Sequence, residues 1–309
     1  MSRHKNEQNR KRSKLKKIVA ILFVVFIAIS GYIVYQYYEG IKIAGESELP
    51  KNDVEDFNGA PKLEKVNVLL LGVDSRGEEK SRTDTIMVAQ FDPKTDEAKL
   101  ISIMRDTYVE IPSYNNYKIN TAYFLGGVEL LRQTIKDNFD IDLNYYAVID
   151  FKGFEKVVDT LAPNGIEMNV EKRMSEKIGV VLEPGLQNLN GKELLGYARF
   201  RQDAEGDFGR VERQQEVINA LKDEMISVSG IAKLPKLVGT IQPNIATNLE
   251  GLERLDFLID LIINPPAKIE TLRIPIENSF TNKTYDHAGA VLEIDFEQNQ
   301  QAIDVFLNN

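Results

Sequence analysis

The chain has 309 residues, 43% hydrophobic and 28% charged, ordinary values for a folded protein of one large domain or two. It has no cysteine and only two histidines, His4 and His287. That excludes thiol nucleophiles, disulfides and cysteine metal sites, and leaves little basis for a serine–histidine–acid triad or a histidine-rich zinc centre.

The net charge of −9 conceals a split along the chain. Residues 1–38 carry eight Lys/Arg and one acid, Glu7, which leaves a formal charge of −16 on residues 39–309. An acidic body does not favour generic binding to nucleic acid. Any local cluster of arginines within it is therefore informative.

Residues 1–17 form a basic stub. Behind them Ile18–Tyr38 runs 21 residues without a charge, and as a helix this is roughly 31 Å, about one bilayer core. Tyr32, Tyr35, Tyr37 and Tyr38 crowd its distal end, as aromatic residues do at membrane interfaces. All the basic residues precede the run, so it reads as a single-pass anchor in the cell membrane, with the amino terminus cytoplasmic and the body extracytoplasmic. A cleaved signal peptide would have a shorter apolar core followed by a small-x-small site. The length and the tyrosines favour an uncleaved anchor. Residues 39–65 are polar, with Pro50, Gly59 and Pro61, and read as a stalk. A cysteine-free body suits an exported protein of a Gram-positive bacterium that folds without oxidation.

Residues 66–309 alternate strands and helices. Lys65–Val73 is a nearly continuous apolar run, as in a strand buried on both faces. Thr85–Phe91 and Lys99–Met104 flank the turn Asp92-Pro93-Lys94 and form a hairpin. Helices are expected at Val128–Phe139, after Gly126-Gly127, and at Phe151–Leu161, Leu186–Tyr197, Phe208–Ser227 and Leu249–Ile263. Further strands are expected at Tyr145–Ile149 and Ile269–Ile274, and a short helix near Gln300–Leu307. This order implies an α/β fold layered on a mixed, mostly buried sheet.

Asp74 follows the first strand and Asp84 directly precedes the second. Polar residues at such strand ends often line a ligand crevice. Two carboxylates there would suit a hard divalent cation such as Mg²⁺. Asp is equally common as a turn cap, and the pair alone leaves both readings open. Arg105-Asp106 leaves the third strand, where the arginine either pairs with an acid or receives an anion. The strongest signal is Tyr197–Gln215, YARFRQDAEGDFGRVERQQ. Arg199 and Arg201 alternate, and Asp207-Phe208-Gly209 opens a helix on which Arg210, Arg213 and Gln214 share one face. That face continues as Val217, Ile218, Leu221 and Met225, so the arginines extend a stripe that turns inward. Arginine forks in the first turns of a helix suit phosphate oxygens. The competing reading is a salt-bridged face, since Asp203, Glu205, Asp207 and Glu212 are interspersed. Together the residues suggest a metal-assisted pyrophosphate site outside the membrane. Lys118 and Asn120, in the loop Lys118–Ala122, are candidates for further contacts. A polyprenyl-diphosphate-linked sugar would account for both the diphosphate and the membrane.

At this point the chain resembles the LytR-CpsA-Psr family of bacterial cell-wall glycopolymer ligases. The matching stretches are NVLLLGVDSR, SRTDTIMVAQFDPKTDEAKLISIMRDTYVEIP, KINTAYFLGG and YARFRQDAEGDFGRVERQQ, which span roughly 66 to 215 in the family's order. The resemblance implies a three-layer α/β/α sandwich with an apolar groove for the polyprenyl chain. It implies transfer of a lipid-diphosphate-linked glycopolymer, such as wall teichoic acid, to the 6-hydroxyl of N-acetylmuramic acid in peptidoglycan, releasing polyprenyl phosphate. By motif position, Asp74 and Asp84 would hold Mg²⁺, with Mn²⁺ as the alternative. Arg82, Arg105, Arg199, Arg201 and Arg210 would grip the diphosphate, with Lys118, Asn120, Arg213 and Gln214 beside them. Asp84, Asp106 and Asp207 are the candidates for a general base, and Arg105, Asp106, Asp207 and Arg210 for the catalytic set. No nucleic-acid or protein partner is indicated. Two other functions use the same features: a polyprenyl-diphosphate phosphatase, and a non-catalytic membrane-anchored lipid-binding regulator of the cell envelope. Arg105→Ala is expected to abolish transfer and leave the fold intact.

Overall fold

The strands at the centre of the chain form a single mixed sheet. A computed structural model describes residues 2–45, 57–61, 64–74, 83–95, 97–249 and 265–308. The sheet contains β1 (Val66–Val73), β2 (Thr83–Asp92), β3 (Glu97–Ile103), β6 (Tyr145–Asp150), β9 (Ile245–Thr247) and β10 (Ile269–Ile274), in the order β10-β3-β2-β1-β6-β9. The pairs β1/β6 and β3/β10 are parallel, and β1/β2, β2/β3 and β6/β9 are antiparallel. With these directions, the carboxyl ends of β1, β3 and β6 and the amino end of β2 share one edge. The short strands β4 (Tyr108–Val109) and β5 (Tyr117–Lys118) pair beside it.

Side-chain alternation divides the sheet into two different faces. Leu69, Leu71 and Val73 of β1, Ile86 and Val88 of β2, and Tyr146 and Val148 of β6 enter a solid core. That core is closed by α2 (Asn120–Phe139) and α7 (Phe296–Asn308) through Leu131, Ile135, Phe139, Ile303 and Leu307. The intervening residues Leu70, Thr85, Met87, Ala147 and Ile149 face a cavity on the other side. Its roof is α3 (Phe151–Leu161), α4 (Gly191–Arg199) and α5 (Gly206–Ile226). The architecture is an α/β/α sandwich packed solidly on one side, with a cavity against the sheet on the other, beneath a second core that includes Val158, Leu194, Tyr197 and Val217.

Three elements differ from the sequence reading. Leu186–Leu189 belongs to β8 (Gly185–Leu189), paired with β7 (Ile166–Val170), and is not the start of a helix. Asn190 ends the strand by capping α4, its side chain accepting from Glu193 N while Glu193 reaches back to Asn190 N. The loop expected at Lys118–Ala122 is instead the end of β5 and the first turn of α2. That helix continues through a kink at Gly126-Gly127, where φ of +63° at Gly127 favours glycine. Residues Val228–Asn244 form α6, a helix not expected from sequence because Pro235 and Pro243 argue against one. The helix expected at Leu249–Ile263 lies outside the described residues apart from Leu249.

At the amino terminus, α1 (Ser2–Ala44) has a segment, Lys16–Ala44, long and apolar enough to cross a membrane. Its helix continues beyond Tyr38 into residues assigned above to a stalk, and those turns pack on α6. Near the other end of that stalk, Asn58 N donates to Glu129 of α2 at 2.9 Å. Glu129 also accepts from Arg132 at 2.7 and 2.8 Å and from Gln133 at 2.8 Å. Burial raises the Glu129 pKa, but these donors outweigh it and hold the carboxyl at about 2. A depressed carboxylate stabilises the fold above its unfolded pKa, here 4.5, and loses that contribution as pH falls towards the folded value. Glu129→Gln should therefore cost about 1–3 kcal/mol at pH 7. Urea unfolding should show the difference from wild type shrinking between pH 4.5 and pH 2.

Candidate active site

The edge where β1, β2 and β3 converge carries the charged residues. Asp74 follows β1 directly. Asp84 lies within β2, not before it as the sequence suggested. Val73 pairs with Thr83 and Gly72 with Thr85, so Asp84 is the extra residue of a β-bulge. Such a bulge re-aims the side chain it contains. Thr83 Oγ1 fixes the turn by donating to Gly72 O at 3.0 Å and Thr85 O at 2.7 Å. A Cβ on Gly72 would crowd the Thr85 side chain, so glycine lets the strands meet here. Asp74 and Asp84 both line the mouth of the cavity.

Arg105 leaves β3 into a group of acids. It pairs with Asp84, and lies 3.4 Å from both Asp106 and Asp207. Burial lowers its pKa, but the three carboxylates outweigh this and raise it. Burial pushes the Asp106 carboxyl up, but Lys118, 2.8 Å away, and Arg105 pull it below its ordinary value. Asp207 moves the other way. Burial, with Asp106 facing it, raises its pKa despite Arg210 and Arg105.

Three arginines approach from the roof. Arg210, 4% exposed, pairs with Asp207 at 3.1 Å, while its buried Nε makes no hydrogen bond among the described residues. Burial, and then Arg105 nearby, lower its pKa, so this cation is under-compensated. Arg201 is 3.6 Å from Asp207. Arg199 ends α4 over the ring of Phe151, 4.2 Å from its centroid, and no ion pair holds it among the described residues. Arg199, Arg201, Arg210 and Gln214 line the cavity with Asp74 and Asp84. Gln214 also donates to Thr85 Oγ1 at 3.0 Å, bridging α5 to β2.

Behind this charged mouth lies a cavity of about 500 Å³. Val217, Ile218 and Leu221 of α5 form part of its wall with Phe154, Val158 and Leu195. The apolar stripe read from the sequence therefore lines a space with Val217, Ile218 and Leu221, while Val217 and Leu221 also pack into a second core with Val158, Leu194 and Tyr197. The arrangement can hold an amphiphile with an anionic head and an apolar tail. Phe151, which carries Arg199, was missed because a ring after a strand gives no signal for what stacks on it.

Arg213 corrects the expectation for it. It does not line the cavity. Its Nη1 pairs with Asp203 at 3.2 Å and Glu205 at 3.5 Å, and its Nη2 donates to Phe200 O at 2.9 Å. Lys172 joins the same acids at 3.2 and 3.3 Å. The residue fastens the 200–206 loop, which connects Arg199 and Arg201 to Asp207. Lys118 and Asn120 sit beside Arg105, through Asp106 and through a 3.4 Å hydrogen bond from Asn120 N to Arg105 O. Arg82 lies outside the described residues. The acids expected to hold a metal fit that role. Both face one space, and Mg²⁺ needs only one or two protein carboxylates when phosphate and water complete its shell. Among the described residues, no group of three or more His, Cys, Asp or Glu could enclose a metal without such help.

The LytR_cpsA_psr family model matches residues 31–303. The regulatory protein MsrR of Staphylococcus aureus (strain COL) is 45% identical over 278 residues, 90% of this chain and 85% of that protein. TagV of Bacillus subtilis (strain 168), a polyisoprenyl-teichoic acid–peptidoglycan teichoic acid transferase, is 32% identical over 89% of this chain and 74% of its own. The crystal structure of B. subtilis TagV superposes with a TM-score of 0.66 at 31% identity, covering 80% of this chain and 99% of that one. TagT bound to LI-WTA gives 0.64 at 26% identity, over 83% and 95%.

Removing one partner of a buried pair leaves the other charge uncompensated, at a cost of about 3–5 kcal/mol. Arg213→Ala should lose less, about 1–3 kcal/mol, because Lys172 still pairs with Asp203 and Glu205. Arg199→Ala, with no ion pair to break, should stay within about 1 kcal/mol. Chemical denaturation of the two variants checks the contrast. Arg105→Ala, which leaves Asp84, Asp106 and Asp207 facing one another, should likewise be destabilised, against the expectation stated from sequence.

Proposed function

The chain belongs to the LytR-CpsA-Psr family, and on that premise we propose that it is a membrane-anchored, Mg²⁺-dependent phosphotransferase. It moves a polyprenyl-diphosphate-linked glycopolymer, wall teichoic acid or a similar anionic polymer, onto the muramic acid 6-hydroxyl of peptidoglycan. One observation carries the reading: two carboxylates and three arginines meet at the mouth of an apolar cavity. The relative TagV, named for teichoic acid transfer to peptidoglycan, supports the reaction class. Residues 1–17 are cytoplasmic and the site is outside, where peptidoglycan lies. The basic residues ahead of the span support this orientation.

In this mechanism the lipid tail occupies the cavity and the diphosphate lies at its mouth. Arg199, Arg201 and Arg210 bind its oxygens, replacing solvent with fixed donors, and Arg210 gains the anion its buried position lacks. Asp74 and Asp84 would hold Mg²⁺, which when bound neutralises charge on the diphosphate. Phosphoryl transfer asks chiefly for alignment and charge stabilisation, and these residues supply both. The acceptor hydroxyl oxygen bonds to the sugar-linked phosphorus as the bond from that phosphorus to the bridging oxygen breaks. Polyprenyl phosphate leaves with the bridging oxygen. Of the three candidate bases, Asp84 is committed to the metal, and Asp106 is held acidic by Lys118 and Arg105. Asp207, with its pKa raised by burial, takes the hydroxyl proton.

A second reading has specific support, because MsrR, 45% identical, is named a regulatory protein. A binding-only regulator would retain the lipid without turnover. A phosphatase would release polyprenyl phosphate with water as acceptor.

The full chain should be incubated with Mg²⁺, a labelled polyprenyl-diphosphate disaccharide and uncross-linked glycan strands, and the products read by mass spectrometry. Labelled glycan and polyprenyl phosphate should appear together, and both should be lost in Arg199→Ala. Polyprenyl phosphate alone would instead support the phosphatase, and retained lipid with neither product the regulator. Asp207→Asn should lower kcat by about 10²–10⁴-fold and remove the acidic limb of the pH–rate profile. An unchanged limb would assign the base elsewhere.

A further inference from the structure

The anchor helix continues onto the body of the protein, where it meets α6 backbone to backbone. A Cβ on Gly40 would overlap the Lys236 carbonyl, and one on Gly239 would overlap the Tyr37 carbonyl. Small residues at a helix crossing permit this approach. Polar contacts lock it. Thr240 Oγ1 donates to Gly40 O at 3.3 Å, and the Tyr37 hydroxyl donates to Gln242. Lys156 of α3 donates to Ala44 O, placing a cation at the carboxyl end of α1.

The location of this joint matters. Tyr38, 65% exposed, stands where the uncharged span ends, and Gly40 is two residues, about 3 Å, beyond it. The joint therefore sits at the outer bilayer surface when the span is in a membrane. It grips α3 at the apolar end of the cavity, which Val157, next to Lys156, lines. From the joint α6 runs on to Ile245, which lines the cavity beside Ile149 at the mouth edge. The charged mouth is at the other end of α3, where Phe151 carries Arg199, about 10 Å along the helix from Val158.

We propose that the Gly40–Gly239 joint is a positioning device, which holds the apolar end of the cavity against the bilayer so that a donor's lipid tail enters from the membrane. A flexible tether would leave the cavity free to tumble, and a long prenyl chain would then have to cross water, exposing every methylene. A fixed joint removes that crossing. The proposal rests on the lipid-diphosphate reading above and adds the route by which the lipid arrives.

The chain has no native cysteine, so Tyr37→Cys with Gln242→Cys installs one defined thiol pair. In the full chain, reconstituted in vesicles of phosphatidylglycerol and phosphatidylethanolamine, a short bis-maleimide should bridge the pair. Adding Gly40→Leu should prevent the bridge. Gly40 lies on the anchor, so this substitution spares the interior of the body. Gly40→Leu alone should raise KM for a long-chain donor embedded in the vesicles by about tenfold or more, with kcat unchanged, and leave a short-chain, water-soluble donor unaffected. Absence of the bridge in the otherwise native chain would overturn the joint. Equal loss with both donors, or no loss with either, would overturn its role in loading. If the unmodified chain turns over neither donor, the transferase reading fails, and the bridge still decides the joint.

Discussion

Arg105 and Arg210 are placed where the fold strips water from them, and the site is built around that cost. Desolvating a guanidinium is unfavourable unless acids or an anion compensate. For Arg105 the compensation is internal, since Asp84, Asp106 and Asp207 arrive from β2, from the residue beside it and from α5. For Arg210 it is incomplete, with one carboxylate at 3.1 Å and a second arginine nearby. The acids therefore serve two purposes. They make burial of the cations tolerable in the unliganded protein, and they leave a deficit at the cavity mouth that a diphosphate can fill.

The strands bring these groups together because the sheet is mixed. An antiparallel β1/β2 pair beside a parallel β1/β6 pair puts Asp74, Asp84, Arg105 and the start of α3 on one edge. The same alternation that fills one face with Leu69, Leu71, Ile86 and Val88 leaves Leu70, Met87, Ala147 and Ile149 facing the cavity. A charged mouth and an apolar interior are thus consequences of one sheet read from its edge and from its face. MsrR and TagV, which share the family, differ in their names as regulator and transferase. The chemistry of the site favours the transferase reading for this chain.

Much of this was legible in the residues. Apolar runs such as VNVLLLGV and TIMVAQF cannot be solvated, so their strands were read within a few residues of β1 and β2. Arg199, Arg201 and Arg210 stood out because four arginines crowd one acidic segment. Other features depended on contacts between distant residues. The i, i+3, i+4 spacing put Arg210, Arg213 and Gln214 on one face, but a helix face is wide enough to serve a cavity and a loop at once. Only Asp203 and Glu205, folded back beside Arg213, assign it to the loop. Periodicity likewise turned Val217 and Leu221 inward without distinguishing a core from a void. Leu186–Leu189 was misread because leucines suit helix and strand alike, and α6 escaped notice because its prolines outweigh its propensity. The pairing of Asp106 with Asp207 joins residues about a hundred positions apart, and no local rule predicts it.

The central claim is that one ligand spans the charged mouth and the apolar cavity. A crystal structure of the chain with a prenyl diphosphate and Mn²⁺, using anomalous scattering to locate the metal, tests it most directly. The account predicts metal between Asp74 and Asp84, diphosphate oxygens against Arg199, Arg201 and Arg210, and the prenyl chain along Val217 and Leu221. A diphosphate bound elsewhere, or a prenyl chain outside the cavity, would contradict it.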